Sequence, residues 1–143
     1  MQEKCTQQKQ DPAAREIFRL LDNLLYDPEE KVRDRAIQKL LEIRHVVQNE
    51  DKEHIMKLTL KLAHDEDENN RVSALKIMND FSQDMGQTLT ECFIVPEINS
   101  LGIDESVNVR MAVAKNLLNV SKIVSFDFFK MKIFPLYNTL TQD

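Results

Sequence analysis

The sequence predicts an all-α chain, an α-solenoid in which antiparallel helix pairs stack into a right-handed superhelix. Three observations predict it. Gly86 and Gly102 are the only glycines, so tight hairpin turns have almost no material. Apolar residues recur at offsets of three and four, the spacing of one helix face. An Asp followed six residues later by an Arg returns at periods of 38 and 39 residues, as Asp27 to Arg33, Asp65 to Arg71 and Asp104 to Arg110.

The same frame orders the rest of the chain. Three residues after each Arg stand Ala36, Ala74 and Val113, and four after stand Ile37, Leu75 and Ala114. Seven after come Leu40, Met78 and Leu117, and ten after come Ile43, Phe81 and Val120. Three residues before each Asp stand Leu24, Leu62 and Leu101, with Leu140 before Asp143 as a fourth copy. Each period therefore reads as a helix A, an acidic turn and a helix B. The A helices are expected near 12–26, 51–63, 88–102 and 126–141, and the B helices near 28–48, 67–84 and 106–122.

Local signals support these divisions. Asp11 is placed to cap a helix opened by Pro12. Asp27 with Glu30, Asp65 with Glu68, and Thr88 with Glu91 have capping-box spacing. Pro96 and Pro135, each eight residues before its Asp, are expected to bend helix A. The domain is thus residues 12–143, with repeats of about 12–50, 51–87, 88–125 and a partial 126–143, preceded by a polar tail, 1–11, of disordered type. Stacking supplies the shared core that one helix pair cannot build. The last A helix leaves Phe128, Phe129, Ile133, Phe134 and Leu136 partly covered, so that end is expected to continue, to dock on a partner or to self-associate.

Composition narrows the function. A formal net charge of -5 disfavours nucleic acid, whose binders concentrate Lys and Arg on one face. No apolar run reaches the ~18 residues that a membrane span needs, and residues 1–10 are too polar for a signal peptide. Cys5 and Cys92 are far apart and suit a reducing compartment, so a cytoplasmic location is expected, the nucleus remaining open.

Catalytic and metal chemistry finds no support in the residues. Asp65, Asp67 and Asn69 imitate the opening of a calcium loop, but Asn70 stands where that loop turns on Gly and Lys76 where it needs Glu. His45, His54 and His64 occupy different places in the frame, and neither Cys has zinc spacing. Phosphate-loop and nucleophile-elbow motifs are missing. The expectation is no enzyme, no cofactor and no metal site. Two columns do carry a pattern. Asp27, Arg33, Asp65, Arg71, Asp104 and Arg110 can form an inter-repeat ladder. The turns offer Tyr26, Asp27, Pro28 and Glu29, then His64, Asp65, Glu66 and Asp67, then Gly102, Ile103, Asp104 and Glu105, as one partner-binding edge.

Placed in this frame, the chain resembles HEAT-repeat proteins, in which a bent helix A is common. Within them it resembles the scaffolding (A) subunit of protein phosphatase 2A. Val32-Arg-Asp-Arg-Ala-Ile-Gln-Lys-Leu40 is similar to a repeat in the N-terminal half of that subunit. Ile94-Val-Pro-Glu-Ile98, Val107-Asn-Val-Arg-Met-Ala-Val-Ala-Lys-Asn-Leu117 and Phe134-Pro-Leu-Tyr-Asn-Thr-Leu-Thr-Gln-Asp143 are similar to its last repeats. The resemblance implies a non-catalytic scaffold whose turns hold phosphatase catalytic or regulatory subunits, with Gly102 to Ser106 and His64 to Asp67 facing a catalytic subunit. The chain departs from the family in its shorter array and in Asn70, which replaces an apolar residue before Arg71. The alternatives are a HEAT module for tubulin, in the manner of TOG domains, or for a transport cargo, and a HEAT-like base-excision enzyme. A tubulin binder would bring Trp or basic turns, and an excision enzyme a basic groove.

Overall fold

The computed structural model describes residues 12–47 and 49–143, and among them all regular structure is helical, with no strand. The chain divides into two compact units, one within residues 1–47 and the other within 48–143.

In the first unit α1 (Pro12–Leu24) packs on α2 (Glu30–Glu42), and a 3-10 turn follows at Arg44–Val46. Pro12 opens α1, where its missing N–H costs no helical bond, while Asp11 lies outside the described residues. Among the described residues of this unit, Leu25, Ala36, Ile37 and Leu40 are buried. Helix α2 ends at Glu42, short of the residue 48 expected for it, because Ile43 leaves helical geometry (φ -94°, ψ 3°).

The second unit contains α3 (Asn49–Ala63), α4 (Glu68–Leu89), α5 (Val95–Leu101), α6 (Val107–Ser121), the single turn α7 (Phe126–Phe128) and α8 (Phe134–Thr141). Helix α3 packs on α4, α4 and α5 pack on α6, and α6 packs on α8. The core draws Ile55, Leu58 and Leu62 from α3, Ala74, Leu75, Ile77, Met78 and Phe81 from α4, Ile98 from α5, and Val109, Val113 and Val120 from α6. Phe81 is fully buried, and an aromatic ring in that position contributes several kcal/mol, about 3 to 5 by truncation.

Gly86 divides the long α4 run. Its backbone (φ 78°, ψ -179°) lies in a region essentially reserved for glycine, so one helix ends and another starts there, between the predicted B helix and the next A helix. Thr90, buried, donates to Ser82 O across this break at 3.2 Å.

The two prolines do more than bend their helices. Each is preceded by a π-helical turn, Thr90–Ile94 before Pro96 and Phe129–Ile133 before Pro135. A proline ring clashes with the carbonyl four residues back, here that of Cys92 or Met131, and both residues lie inside the widened turns. The wider loop of backbone absorbs the clash.

Candidate functional site

Each acidic turn begins with its Asp, and the three are built alike. Asp27 Oδ1 accepts from Glu29 N, Asp65 Oδ1 from Asp67 N, and Asp104 Oδ1 from Ser106 N, each at 2.9 Å. These are Asx turns, in which a short carboxylate replaces a backbone acceptor. They shift the capping assignment by two residues. The N-caps of α2, α4 and α6 are Glu29, Asp67 and Ser106, not the Asp column, because those carboxylates are spent on the turn. Asp67 caps through Asn69 N at 2.9 Å. Glu30 and Glu68 stand at the first helical position, where they meet the positive end of the helix dipole. The Thr88 and Glu91 pair forms no box either, since Thr88 is inside the helical run and Glu91 accepts from Ser125 N at 2.8 Å. That backbone bond holds the Glu91 carboxyl below its ordinary range.

Each Arg closes its own turn. Arg33 Nη1 donates to Asp27 O and Pro28 O at 2.9 and 3.1 Å. Arg71 Nη1 reaches Asp65 O and Glu66 O, both at 2.9 Å. Arg110 Nη1 reaches Asp104 O and Glu105 O at 2.7 and 3.0 Å. In the second unit the other edge of the guanidinium extends to the next Asp. Arg71 Nε and Nη2 grip Asp104 Oδ2 and Oδ1 at 2.8 and 3.0 Å. Arg110 Nε bonds Asp143 Oδ2, and its Nη2 donates to Asp143 Oδ1 at 3.2 Å. Both pairs are bidentate, the geometry for which a planar guanidinium is suited.

Environment separates the two pairs. The Arg71 and Asp104 side chains are 11% and 10% exposed, against 21% and 43% for Arg110 and Asp143. Burial pushes the Asp104 carboxyl up, but hydrogen bonds from the Arg71 guanidinium and the Ser106 amide outweigh it and hold Asp104 below the usual carboxylate range. The same bond to Asp104 raises Arg71 above its ordinary value.

With Asp and Arg engaged in this way, the outward residues of the turns are few. Tyr26 is 49% exposed and Ile103 78% exposed. Pro28, Glu29, His64, Glu66, Asp67 and Glu105 are also exposed, while Asp27, Asp65 and Asp104 are half-buried. His64 Nε2 lies 3.1 Å from Glu97 Oε2 on α5. Gly102, expected on the binding edge, is buried instead, because Leu136 packs directly over it and a Cβ there would stand 2.3 Å from Leu136 Cδ1.

Other polar contacts carried no signal in the sequence. Asn116 Nδ2 donates to Leu75 O at 2.8 Å, Asn119 Nδ2 to Asn79 Oδ1 at 2.9 Å, and the Ser106 hydroxyl bonds the Glu68 carboxylate. An open groove of about 680 Å³ is lined by Lys52, Met56, Leu60, Met85, Leu89 and Phe93. Its lining comes from two successive helix pairs, and helical periodicity within each pair cannot reveal it.

Among the described residues no helix is long and apolar enough to cross a membrane, and no group of three or more His, Cys, Asp or Glu could hold a metal ion. In comparison with known proteins, the sequence matches no family model and no curated protein.

Proposed function

We propose that this chain is a HEAT-repeat scaffold or regulatory subunit without catalytic chemistry, which binds a catalytic or regulatory subunit of a 2A-type Ser/Thr protein phosphatase through its intra-repeat turns in the cytoplasm. The observation that carries this reading is Ile103, 78% exposed beside Asp104, whose carboxylate and carbonyl are both held by arginines. A bulky aliphatic presented on a rigid turn has little ordering entropy left to lose on binding. The acidic residues around it complete an apolar contact with a polar rim.

The recurrence of one hydrogen-bond pattern in three turns supports stacked HEAT repeats. The similarity of Val107 to Leu117 and of Phe134 to Asp143 to the last repeats of the phosphatase scaffold supports the choice of partner. In this reading Tyr26, Pro28, Glu29, His64, Glu66, Asp67, Ile103 and Glu105 touch the partner, and the Asp and Arg column holds them in place.

Biolayer interferometry with a purified 2A-type catalytic subunit and a purified regulatory subunit tests the proposal. Saturable binding to either, weakened roughly 30-fold or more by Ile103→Asp, is the expected result. No binding to either at high micromolar concentration would sink it, and saturable binding to tubulin or a transport cargo in their place would favour the alternative module.

A further inference from the structure

Helix α6 is apolar on two opposite sides. Its inner side buries Val109, Val113, Asn116, Leu117 and Val120. On the outer side Val107, Met111 and Leu118 are 58%, 55% and 65% exposed, and Ala114, a core position in the repeat frame, is exposed with them. Their spacings of four, three and four are those of a coiled-coil seam. One period earlier, the same positions on α4 are Glu68, Val72, Leu75 and Asn79. There a helix covers the line: α6 bonds Glu68 through Ser106 and Asn108, Leu75 O through Asn116, and Asn79 through Asn119. The outer line of α6 is thus the next surface of an interface already used inside the molecule.

From its spacing we infer that this line is the interface of a two-fold dimer, with α6 packed antiparallel on α6 of a second copy. Val107 and Leu118 are equidistant from the midpoint between Ala112 and Val113, and so are Met111 and Ala114. A two-fold axis through that midpoint sets Val107 against Leu118 of the second copy, and Met111 against Ala114, a large side chain facing a small one. Such self-complementarity is what an isologous interface requires. Lys115 falls beside Asn108 of the second copy, and Arg110 is already paired with Asp143. A head-to-tail arrangement onto α2 fits poorly. The residues of α2 that correspond to Asn116 and Asn119 are Lys39 and Glu42, an exposed ion pair at 2.7 Å, and the apolar line would strip both of water.

One helix per subunit is a small interface, so the dimer is expected to be weak, with a dissociation constant of about 10 to 100 μM. Sedimentation velocity across that range tests it. Met111→Glu and Leu118→Glu should each weaken association by ~30-fold or more with helical circular dichroism unchanged, and Leu20→Glu on α1 should leave it intact. Mixing Met111→Glu with Ala114→Lys should restore a dimer, because this register alone sets those two positions against each other. A wild type that stays monomeric at the highest concentration overturns the inference. So does association that survives both glutamates or is lost with Leu20→Glu, and so does a mixture that fails to associate.

Discussion

At the scale of single residues, Arg71 and Arg110 do the same work in different surroundings, and that difference sets what each contributes. Removing Arg71 leaves a largely buried carboxylate and two turn carbonyls without their donor, so Arg71→Ala is expected to cost about 3 kcal/mol. Arg110→Ala disturbs a more exposed pair and should lower stability by clearly less; urea midpoints of the two variants measure the contrast. The depressed Asp104 carboxyl adds a pH dependence. Its folded value lies below its unfolded one, so the stability it supplies is present above the unfolded value of about 4 and disappears as pH falls through the folded one. Asp104→Asn should therefore destabilise the chain at pH 7, by an amount that shrinks steadily below about pH 4 in the same urea titrations. The pairing of Arg71 with Asp104 was legible because Asp and Arg each recur at a fixed place in the period and carry chemistry that needs a partner. Gly102 was not. Its burial is imposed by Leu136, a distant residue that no local pattern links to it, and Asn116 likewise reads as an ordinary polar helix residue until Leu75 O is found beside it.

At the scale of elements, the two glycines illustrate two different costs. Nothing lies within 4 Å of a Cβ built on Gly86, so Gly86→Ala pays only for its backbone geometry, about 1 to 3 kcal/mol. Gly102 has ordinary helical angles (φ -66°, ψ -16°), so Gly102→Ala pays in packing against Leu136, about 1 to 2 kcal/mol. A double-mutant cycle separates them. Gly102→Ala should couple strongly to Leu136→Ala, which makes room for the new methyl, whereas Gly86→Ala should add independently. Full additivity at Gly102 would contradict the close contact. Helix positions were readable because period and acidic turns agree. The caps of α2 and α4 were misjudged by two residues because Asp27 and Asp65 have spacing that suits either a cap or an Asx turn, and only backbone geometry decides. The π-helical turns were anticipated merely as bends, since a proline announces that its helix must change and leaves open whether it kinks or widens.

At the scale of the whole molecule, burial is unevenly distributed, and local stability should follow it. The first stretch of α4 buries Arg71, Ser73, Ala74, Leu75, Ile77, Met78, Phe81 and Ser82, and it packs on both α3 and α6. Helix α1 instead exposes Ile17, Leu20 and Leu24, at 48%, 55% and 41%, while Leu25, just past its end, is buried. An element whose apolar residues are buried opens less often than one whose apolar residues face water. Native-state hydrogen exchange followed by mass spectrometry should thus find the slowest amides in α4 between Val72 and Ser82, and fast exchange throughout α1. Phe81→Ala removes the largest fully buried side chain, at a cost of about 3 to 5 kcal/mol, and it should collapse the protection of α4 and α6 together. If α4 lost protection while α6 kept it, the two helices would belong to separate cooperative units, and the shared core described for residues 48–143 would be wrong.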